Sequence, residues 1–222
     1  MIAVVTPVYG NAATLPALAQ RLAVALDEAG VAWTLRFVVD ASPDDSLAVA
    51  TRLAATDGRL SVTTLTRSVG QNRALLAGLA AEPDADVWVC LDADLQDPPE
   101  AVPALLTRLA RGDMRVVFAG RRGAYESRAR LLTGRMHRAA LSLVSGVPTD
   151  AGAFLAMDAH ARHALLALDP PSIVAGVGAG GLRSDSVPVV RDARPSGRSA
   201  WTAWARLRQS ARTLAWAASP RR

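Results

Sequence analysis

Two carboxylates separated by one residue carry the clearest chemical signal in the chain. Asp92 and Asp94 follow a continuous apolar run at residues 87–91, which is typical of a strand covered on both faces. If the backbone stays extended, the two side chains point the same way and repel each other, which favours a shared divalent cation. A few oxygen ligands suit Mg²⁺ or Mn²⁺ when phosphate oxygens complete the coordination. The alternative is an acidic turn that caps the next helix, but Asp97 alone would serve that purpose.

Other polar or turn-forming segments also follow predicted strands. They are residues 7–9, Asp40 and residues 70–71. Short strands alternate here with helices of about 10–15 residues, which indicates a parallel α/β sheet. Ligands of such sheets bind beyond the carboxyl ends of the strands. We therefore expect these segments to converge with Asp92 and Asp94 at one edge of the sheet.

Hydrophobic spacing and capping signals place the elements along the chain. Strands are predicted at residues 2–5, 33–39, 60–65, 87–91, 116–119 and 154–157. Helices are predicted at residues 11–29, 46–55, 71–81, 128–145 and 199–218, with a further helix opened by the prolines at 98 and 99. Residues 170–181 are predicted to form a glycine- and proline-rich loop. Their last six residues match G-x-G-x-x-G, but no helix is expected to follow, so a dinucleotide site is disfavoured.

The charge distribution divides the chain into an acidic and a basic half. All 25 basic residues are arginine, and the net charge is +5. Residues 1–111 contain 8 arginines and 13 acidic residues, whereas residues 112–222 contain 17 arginines and 7 acidic residues. Because the planar fork of arginine suits phosphate oxygens, we expect the second half to bind an anion. Composition leaves nucleic acid, an anionic membrane surface and a small phosphate ester open.

Composition also excludes several classes of protein. A hydrophobic content of 50% excludes wholesale disorder. The single cysteine, Cys90, excludes a disulfide framework and a cysteine-rich zinc site, and its place in a predicted strand indicates a core residue. Without a long apolar run or a signal-peptide pattern, we expect a cytoplasmic protein. Nucleic-acid binding is disfavoured because aromatic residues do not interleave with the arginines before the last helix.

Six short segments occur in a characteristic order: TPVY at 6–9, VDASPDDS at 39–46, RSVGQ at 67–71, LDADLQDPPE at 91–100, DAGAF at 150–154 and RPSGRS at 194–199. In these segments and their order the chain resembles the family-two glycosyltransferases of the GT-A fold. Within that family it is similar to the dolichol-phosphate and polyprenyl-phosphate sugar synthases. They span nearly the whole chain, and the segment at 91–100 is the most specific. The resemblance implies an α/β GT-A fold, with a Rossmann-like, mostly parallel sheet flanked by helices.

The resemblance also implies a role for each matching residue. Residues expected to bind the nucleotide sugar, linked to GDP or UDP, are Pro7, Tyr9, Asp40, Gln71, Asp92 and Arg194. Residues expected to hold Mg²⁺ or Mn²⁺ on its diphosphate are Asp92, Asp94 and Gln96. Residues expected to receive the acceptor phosphate are Arg121, Arg130 and Arg135, for which the alternative is a solvated helix face. Asp94 and Arg194 are the expected catalytic residues, because the metal and Arg194 would stabilise the leaving diphosphate.

The implied reaction moves a mannose- or glucose-type hexose to a polyprenyl or dolichyl phosphate, with inversion. A phosphate acceptor is already anionic near pH 7, so it needs positioning and no general base. If the acceptor were an alcohol, Asp150 would be the first candidate base. On this interpretation residues 1–165 form the catalytic core, with a nucleotide-sugar and metal half at 1–111 and an acceptor half at 112–165. Residues 166–222 form a C-terminal loop and helical extension of the same domain.

Four departures from the family pattern keep two alternatives open. Val39 stands where an acid is usual, Gly10 and Asn11 replace Asn-Glu, and Gly134 replaces a serine beside the acceptor phosphate. The alternatives are transfer to a non-lipid acceptor, such as a small molecule or a glycan, and a catalytically silent homologue that binds nucleotide.

The C-terminal segment carries an amphipathic pattern with basic residues. Its apolar face is formed by Trp201, Trp204, Leu207, Ala211 and Leu214. Such a helix can lie in a membrane interface, and the alternative is a helix docked on the domain core. If the acceptor is a lipid, the protein must visit the cytoplasmic face of a membrane peripherally or through a membrane subunit.

Overall fold

The computed structural model describes residues 1–122, 139–140, 142–143, 145–192, 211, 213 and 215–217. The strands are β1 (Ile2–Val8), β2 (Trp33–Asp40), β3 (Leu60–Leu65), β4 (Val87–Cys90), β5 (Val116–Arg122), β6 (Leu155–Asp158) and β7 (Ser184–Val190). The helices are α1 (Leu15–Glu28), α2 (Ser46–Thr56), α3 (Gln71–Ala80), α4 (Val102–Leu109), α5 (Ala159–Leu168) and α6 (Ile173–Ala179), with a 3₁₀ turn at Pro99–Ala101.

The strands form one sheet in the order β3-β2-β1-β4-β6-β5-β7. β6 is antiparallel to both of its neighbours, and all other neighbouring pairs are parallel. The carboxyl ends of β1 to β5 and of β7 therefore meet at one edge of the sheet. This arrangement confirms the predicted mostly parallel sheet, and it brings together the strand ends at which the sequence predicts the ligand site.

Alternation along the strands divides the core into two layers. In β1, Val4 and Val8 face the layer that α1, α2 and α4 cover, whereas Ala3 and Val5 face the layer that α3, α5 and α6 cover. All these β1 residues are buried, as expected for a central strand covered on both faces. Cys90 is buried in the second layer, which confirms it as a core residue, and burial raises the pKa of its thiol.

The prediction of a loop at residues 170–181 is wrong for the middle of this segment, because residues 173–179 form α6. Its glycines serve close packing, since a Cβ on Gly176 would meet Leu165 at 2.6 Å and one on Gly178 would meet Ser145 at 2.3 Å. Strand β7 follows this helix and was not predicted. The G-x-G-x-x-G match therefore lies in and after a short packed helix that a strand follows, which is not the context of a dinucleotide site.

The predicted helices at 128–145 and 199–218 lie largely outside the described residues. Their described residues are helical, and Trp216 and Ala217 pack against the second core layer. Within the described part of the chain, no helix is long and apolar enough to cross a membrane.

Candidate active site

The predicted edge brings Tyr9, Asp40, Asp92 and Arg121 to the carboxyl ends of four strands. Tyr9 directly follows β1, Asp40 is the last residue of β2, Asp92 follows β4 after one residue, and Arg121 is the penultimate residue of β5. Pro7 lies one residue inside β1, although the sequence placed it just beyond the strand.

Two hydrogen bonds help to hold the loop at residues 92–97, called the metal loop below. The backbone N–H of Gln96 donates to the Asp94 carboxylate at 3.1 Å, and the hydroxyl of Thr14 donates to the carbonyl of Ala93 at 2.6 Å. Leu95 adopts a φ of 59°, a left-handed conformation that is costly for a branched side chain. The loop that carries Asp92 and Asp94 therefore contains one strained residue, Leu95, which the surrounding contacts must stabilise.

Asp92 lies in an unfavourable environment for a charged carboxylate. Burial raises its pKa to about 7, Asp97 and Asp94 add to the rise, and Arg191 and Arg121 oppose it. The side-chain amide of Gln71, at the first position of α3, donates to Asp92. Gln71 and Asp92 are thus brought together as the sequence predicted.

The donor set of the metal loop fits a hard divalent cation. Asp92 and Asp94 are carboxylates that repel each other in a partly buried loop, and a cation would relieve that repulsion. Among the described residues, no group of three His, Cys, Asp or Glu side chains is arranged to hold a metal ion. The two aspartates, with Gln96, therefore suit an ion whose coordination is completed by the phosphates of a substrate.

Both oxygens of the Asp40 carboxylate accept hydrogen bonds from the segment that leads into α3. Its Oδ1 accepts from the backbone N–H of Val69 at 2.7 Å. Its Oδ2 accepts from the hydroxyl of Ser68 at 3.0 Å and from the N–H of Gly70 at 2.8 Å. Because these residues lead directly into α3, Asp40 fixes the segment that carries Gln71. Sequence reasoning missed this clamp, since its partners lie 28–30 residues away.

The segment after β1 is held by the turn that follows β2. The N–H groups of Gly10, Asn11 and Ala12 donate to Ser42, Ser46 and Asp44 respectively. Burial alone would raise the pKa of Asp44, but hydrogen bonds from Ser42, Ser46 and the backbone outweigh it and lower that pKa to about 2. Tyr9 remains 44% exposed above this platform, free to contact a ligand.

Arg121 presents a buried donor without a partner. Its Nε has no hydrogen bond among the described residues, and its guanidinium lies against Gly152, where a Cβ would approach Nε to 2.4 Å. Arg121 also acts electrostatically on Asp92. The neighbouring Arg122 pairs with Asp150 at 3.0 Å. The planar fork of Arg121, at the same edge as Asp92, is suited to a phosphate that arrives with a substrate.

Three predicted site residues, Arg130, Arg135 and Arg194, lie outside the described residues. Two residues that prediction did not assign to the site lie within it. Asp97 was expected to cap the next helix, but its carboxylate pairs with Arg191. No signal in the sequence marked Arg191, because nothing local identifies its partner.

Comparison with known proteins places this geometry in a family. A family described as Glycosyl transferase family 2 matches residues 3–184. The chain is 35% identical over 169 residues to an undecaprenyl-phosphate 4-deoxy-4-formamido-L-arabinose transferase from Sodalis glossinidius, covering 75% of this chain and 51% of the relative. It is 41% identical over 113 residues to a protein of the same name from Pseudomonas aeruginosa, covering 50% and 33%. The chain thus spans about half or less of these relatives.

Solved structures share the fold. Glucosyl-3-phosphoglycerate synthase from Mycobacterium tuberculosis, solved with Mn²⁺, UDP and phosphoglyceric acid, is similar with a TM-score of 0.71 and 21% identity over 100% of this chain and 80% of that one. A mannosyltransferase from Pyrobaculum calidifontis, solved with GDP-mannose and Mn²⁺, is similar with a TM-score of 0.65 and 19% identity over 96% and 63%. These similarities confirm the predicted GT-A fold. Because the family matches most of this chain, residues 3–184, the chain belongs to glycosyl transferase family 2.

Proposed function

We propose that the chain is an inverting, metal-dependent glycosyltransferase that moves a mannose- or glucose-type hexose from a nucleoside diphosphate to a polyprenyl phosphate. One observation carries the proposal: the repelling carboxylates Asp92 and Asp94 share a sheet edge with Arg121, whose buried Nε lacks a partner among the described residues. A cation suits the first group and a phosphate suits the second. The names of the relatives from Sodalis glossinidius and Pseudomonas aeruginosa, which contain undecaprenyl phosphate, support the acceptor class.

On the donor side, Asp92, Asp94 and Gln96 would hold Mg²⁺ or Mn²⁺. The ion supplies positive charge that stabilises the leaving nucleoside diphosphate, whether GDP or UDP. Pro7 and Tyr9 would line the nucleoside pocket, while Asp40 and Gln71 shape its floor through the clamp on residues 68–70. Arg194 would close over the diphosphate.

On the acceptor side, Arg121, Arg130 and Arg135 would orient the phosphate for in-line attack on the anomeric carbon. The attacking oxygen is already anionic near pH 7, so the residues supply position and no general base. Asp150 would be the base for an alcohol acceptor, but it is paired with Arg122 at 3.0 Å, which favours the phosphate acceptor. Because a polyprenyl chain stays in the bilayer, the reaction would take place at a membrane surface, and we propose the cytoplasmic face as that surface.

A small phosphorylated acceptor is the second candidate, because the guanidinium of Arg121 would bind any phosphate monoester. A panel assay separates the two. The protein is incubated with Mn²⁺ or Mg²⁺, GDP- and UDP-linked sugars including a 4-formamido-arabinose donor, and either a short polyprenyl phosphate or phosphoglyceric acid. Nucleoside diphosphate release and product mass are followed.

We expect glycosylated lipid from one donor, and none from an Asp94→Ala variant. Product from the soluble acceptor alone would favour the second candidate. Nucleotide binding by a folded protein without turnover on either acceptor would identify a silent homologue and contradict the proposal.

A further inference from the structure

A buried ion pair joins the metal loop to the end of β7. The Nε of Arg191 donates to Oδ1 of Asp97 at 2.6 Å, and its terminal nitrogen donates to Oδ2 at 2.9 Å. The side chains are 7% and 1% exposed. The residues are 94 positions apart, so the contact exists only through the packing of the sheet.

Backbone hydrogen bonds reinforce the same junction. The N–H of Asp192 donates to the carbonyl of Gln96 at 2.9 Å, and the N–H of Arg191 donates to the carbonyl of Arg122 at 3.1 Å. The metal loop, the end of β5 and the end of β7 are thereby joined at one point. Residue 194, the arginine expected to close over the diphosphate, follows Arg191 by three positions.

Stability alone does not account for the pair. The free energy needed to remove two charges from water offsets much of their mutual attraction. An apolar pair of similar volume often stabilises a fold equally well. The bidentate geometry fixes both distance and orientation, which an apolar contact would not do. Arg191 also acts electrostatically on Asp92, so its charge reaches the carboxylates of the metal loop.

We propose that Asp97 and Arg191 are positioning residues, which hold the metal loop against the end of β7 in the geometry that binds the cation. This inference rests on the proposed function, because it assigns a supporting pair to the metal site of that function. Neither residue contacts the cation in this assignment; both act through Asp92 and Asp94.

The two roles open to Arg191 predict effects of opposite sign. If Arg191 were only a nearby positive charge, its removal would strengthen cation binding, because the repulsion between guanidinium and metal would be lost. If it positions the loop, its removal weakens binding. Arg191→Lys keeps both charges of the pair, so any loss of affinity there reflects geometry. The double variant Asp97→Asn/Arg191→Gln leaves the formal net charge unchanged, but it also removes Asp97, which acts on Asp92 more strongly than Arg191 does.

The test is Mn²⁺ binding to the full chain, measured by calorimetry with and without a nucleoside diphosphate, next to thermal unfolding. We expect Arg191→Gln and the double variant each to bind Mn²⁺ about tenfold more weakly than wild type. Arg191→Lys keeps the charge without the planar fork and should lose about threefold. The control is Arg36→Gln/Glu82→Gln, which removes another partly buried pair, joined at 2.7 Å, and should leave affinity within about twofold.

Unchanged or tighter Mn²⁺ binding by the double variant overturns the proposal. If Arg191→Gln does not fold because Asp97 is left buried and unpaired, Arg191→Lys decides the question, and wild-type affinity in that variant overturns the proposal. If wild-type protein binds no Mn²⁺, the proposed function and this inference both fail, whereas a failure confined to the Asp97 and Arg191 variants overturns only the inference.

Discussion

Asp40 and Asp92 lie at two strand ends on either side of β1, and the fold treats them differently. Asp40 ends β2 and accepts hydrogen bonds from Ser68, Val69 and Gly70, so its charge is spread over donors of its own chain. Asp92 follows β4 and faces Asp94 and Asp97, and burial with these neighbours raises its pKa to about 7.

The difference teaches how one residue type serves two purposes at one edge. A carboxylate whose acceptor sites are filled by the protein stabilises a loop and has little left for a ligand. A carboxylate held among other carboxylates carries unfavourable energy that a cation can remove. The expected consequence is that Asp40 contributes mainly to folding and Asp92 mainly to activity.

The variant with the largest expected effect on this comparison is Asp92→Asn. Removal of a ligand of the cation should lower turnover about 100-fold or more, because the charge that stabilises the leaving diphosphate is no longer held. The temperature of unfolding should stay the same or rise, since a destabilised carboxylate is lost. Nucleoside diphosphate release and thermal unfolding by circular dichroism measure the two effects. A fall in stability as large as that of the Asp40 variant would break the comparison.

The matched change on the other strand is Asp40→Asn. An amide NH₂ must replace one acceptor oxygen and face the donors of residues 68–70, so we expect a loss of about 1–3 kcal/mol in the free energy of unfolding. Turnover should fall less than in Asp92→Asn, through a raised KM for the donor as Gln71 shifts. Urea unfolding and steady-state kinetics provide the readouts. Wild-type stability in this variant would show that the clamp does not hold the fold.

The third test uses pH. Protons compete with the cation at Asp92, whose pKa is about 7, so Mn²⁺ affinity at pH 6 should be about tenfold weaker than at pH 8. Without metal, the contribution of Asp92 to the free energy of unfolding changes with pH in the opposite direction, and it falls as pH rises. The folded state holds this proton more tightly than the unfolded chain, so the contribution of Asp92 is present below pH ~4 and is lost as pH rises through about 7. Calorimetry at both pH values measures the Mn²⁺ affinity. Thermal unfolding without metal measures the stability, and Asp92→Asn should remove most of the pH dependence of that stability.

The smallest expected effect is at Ala41, next to Asp40. Ala41 has a φ of 47°, a left-handed conformation that costs a residue with a Cβ about 1 kcal/mol. Ala41→Gly relieves this strain but makes the unfolded chain more flexible, so a net gain of about 0.5 kcal/mol is expected, with unchanged turnover. Chemical denaturation measures the gain. A loss of stability would indicate that the alanine side chain makes contacts that outweigh the strain.

Local patterns sufficed for most of the described strands and for the convergence of Asp40 and Asp92 at one edge of the sheet. Apolar runs and alternation predicted β1 to β6, because each strand must bury its own side chains. The sequence patterns did not predict α6 or β7. In α6, the glycines at 176 and 178 have the composition of a loop, but they pack closely against Leu165 and Ser145. The penalty of glycine in a helix is local, whereas its packing benefit depends on a neighbour brought by the fold.

The sequence by itself determined that Asp92 and Asp94 lie at the carboxyl edge of a mostly parallel sheet, because alternating strands and helices make the strands run in the same direction. Only the tertiary structure decided which side chains each carboxylate meets. Asp40 is satisfied by a loop about 30 residues away, Asp97 pairs with Arg191 across 94 residues, and the Nε of Arg121 is buried without a partner among the described residues. Such partnerships depend on how the whole sheet is packed, and no local pattern encodes them.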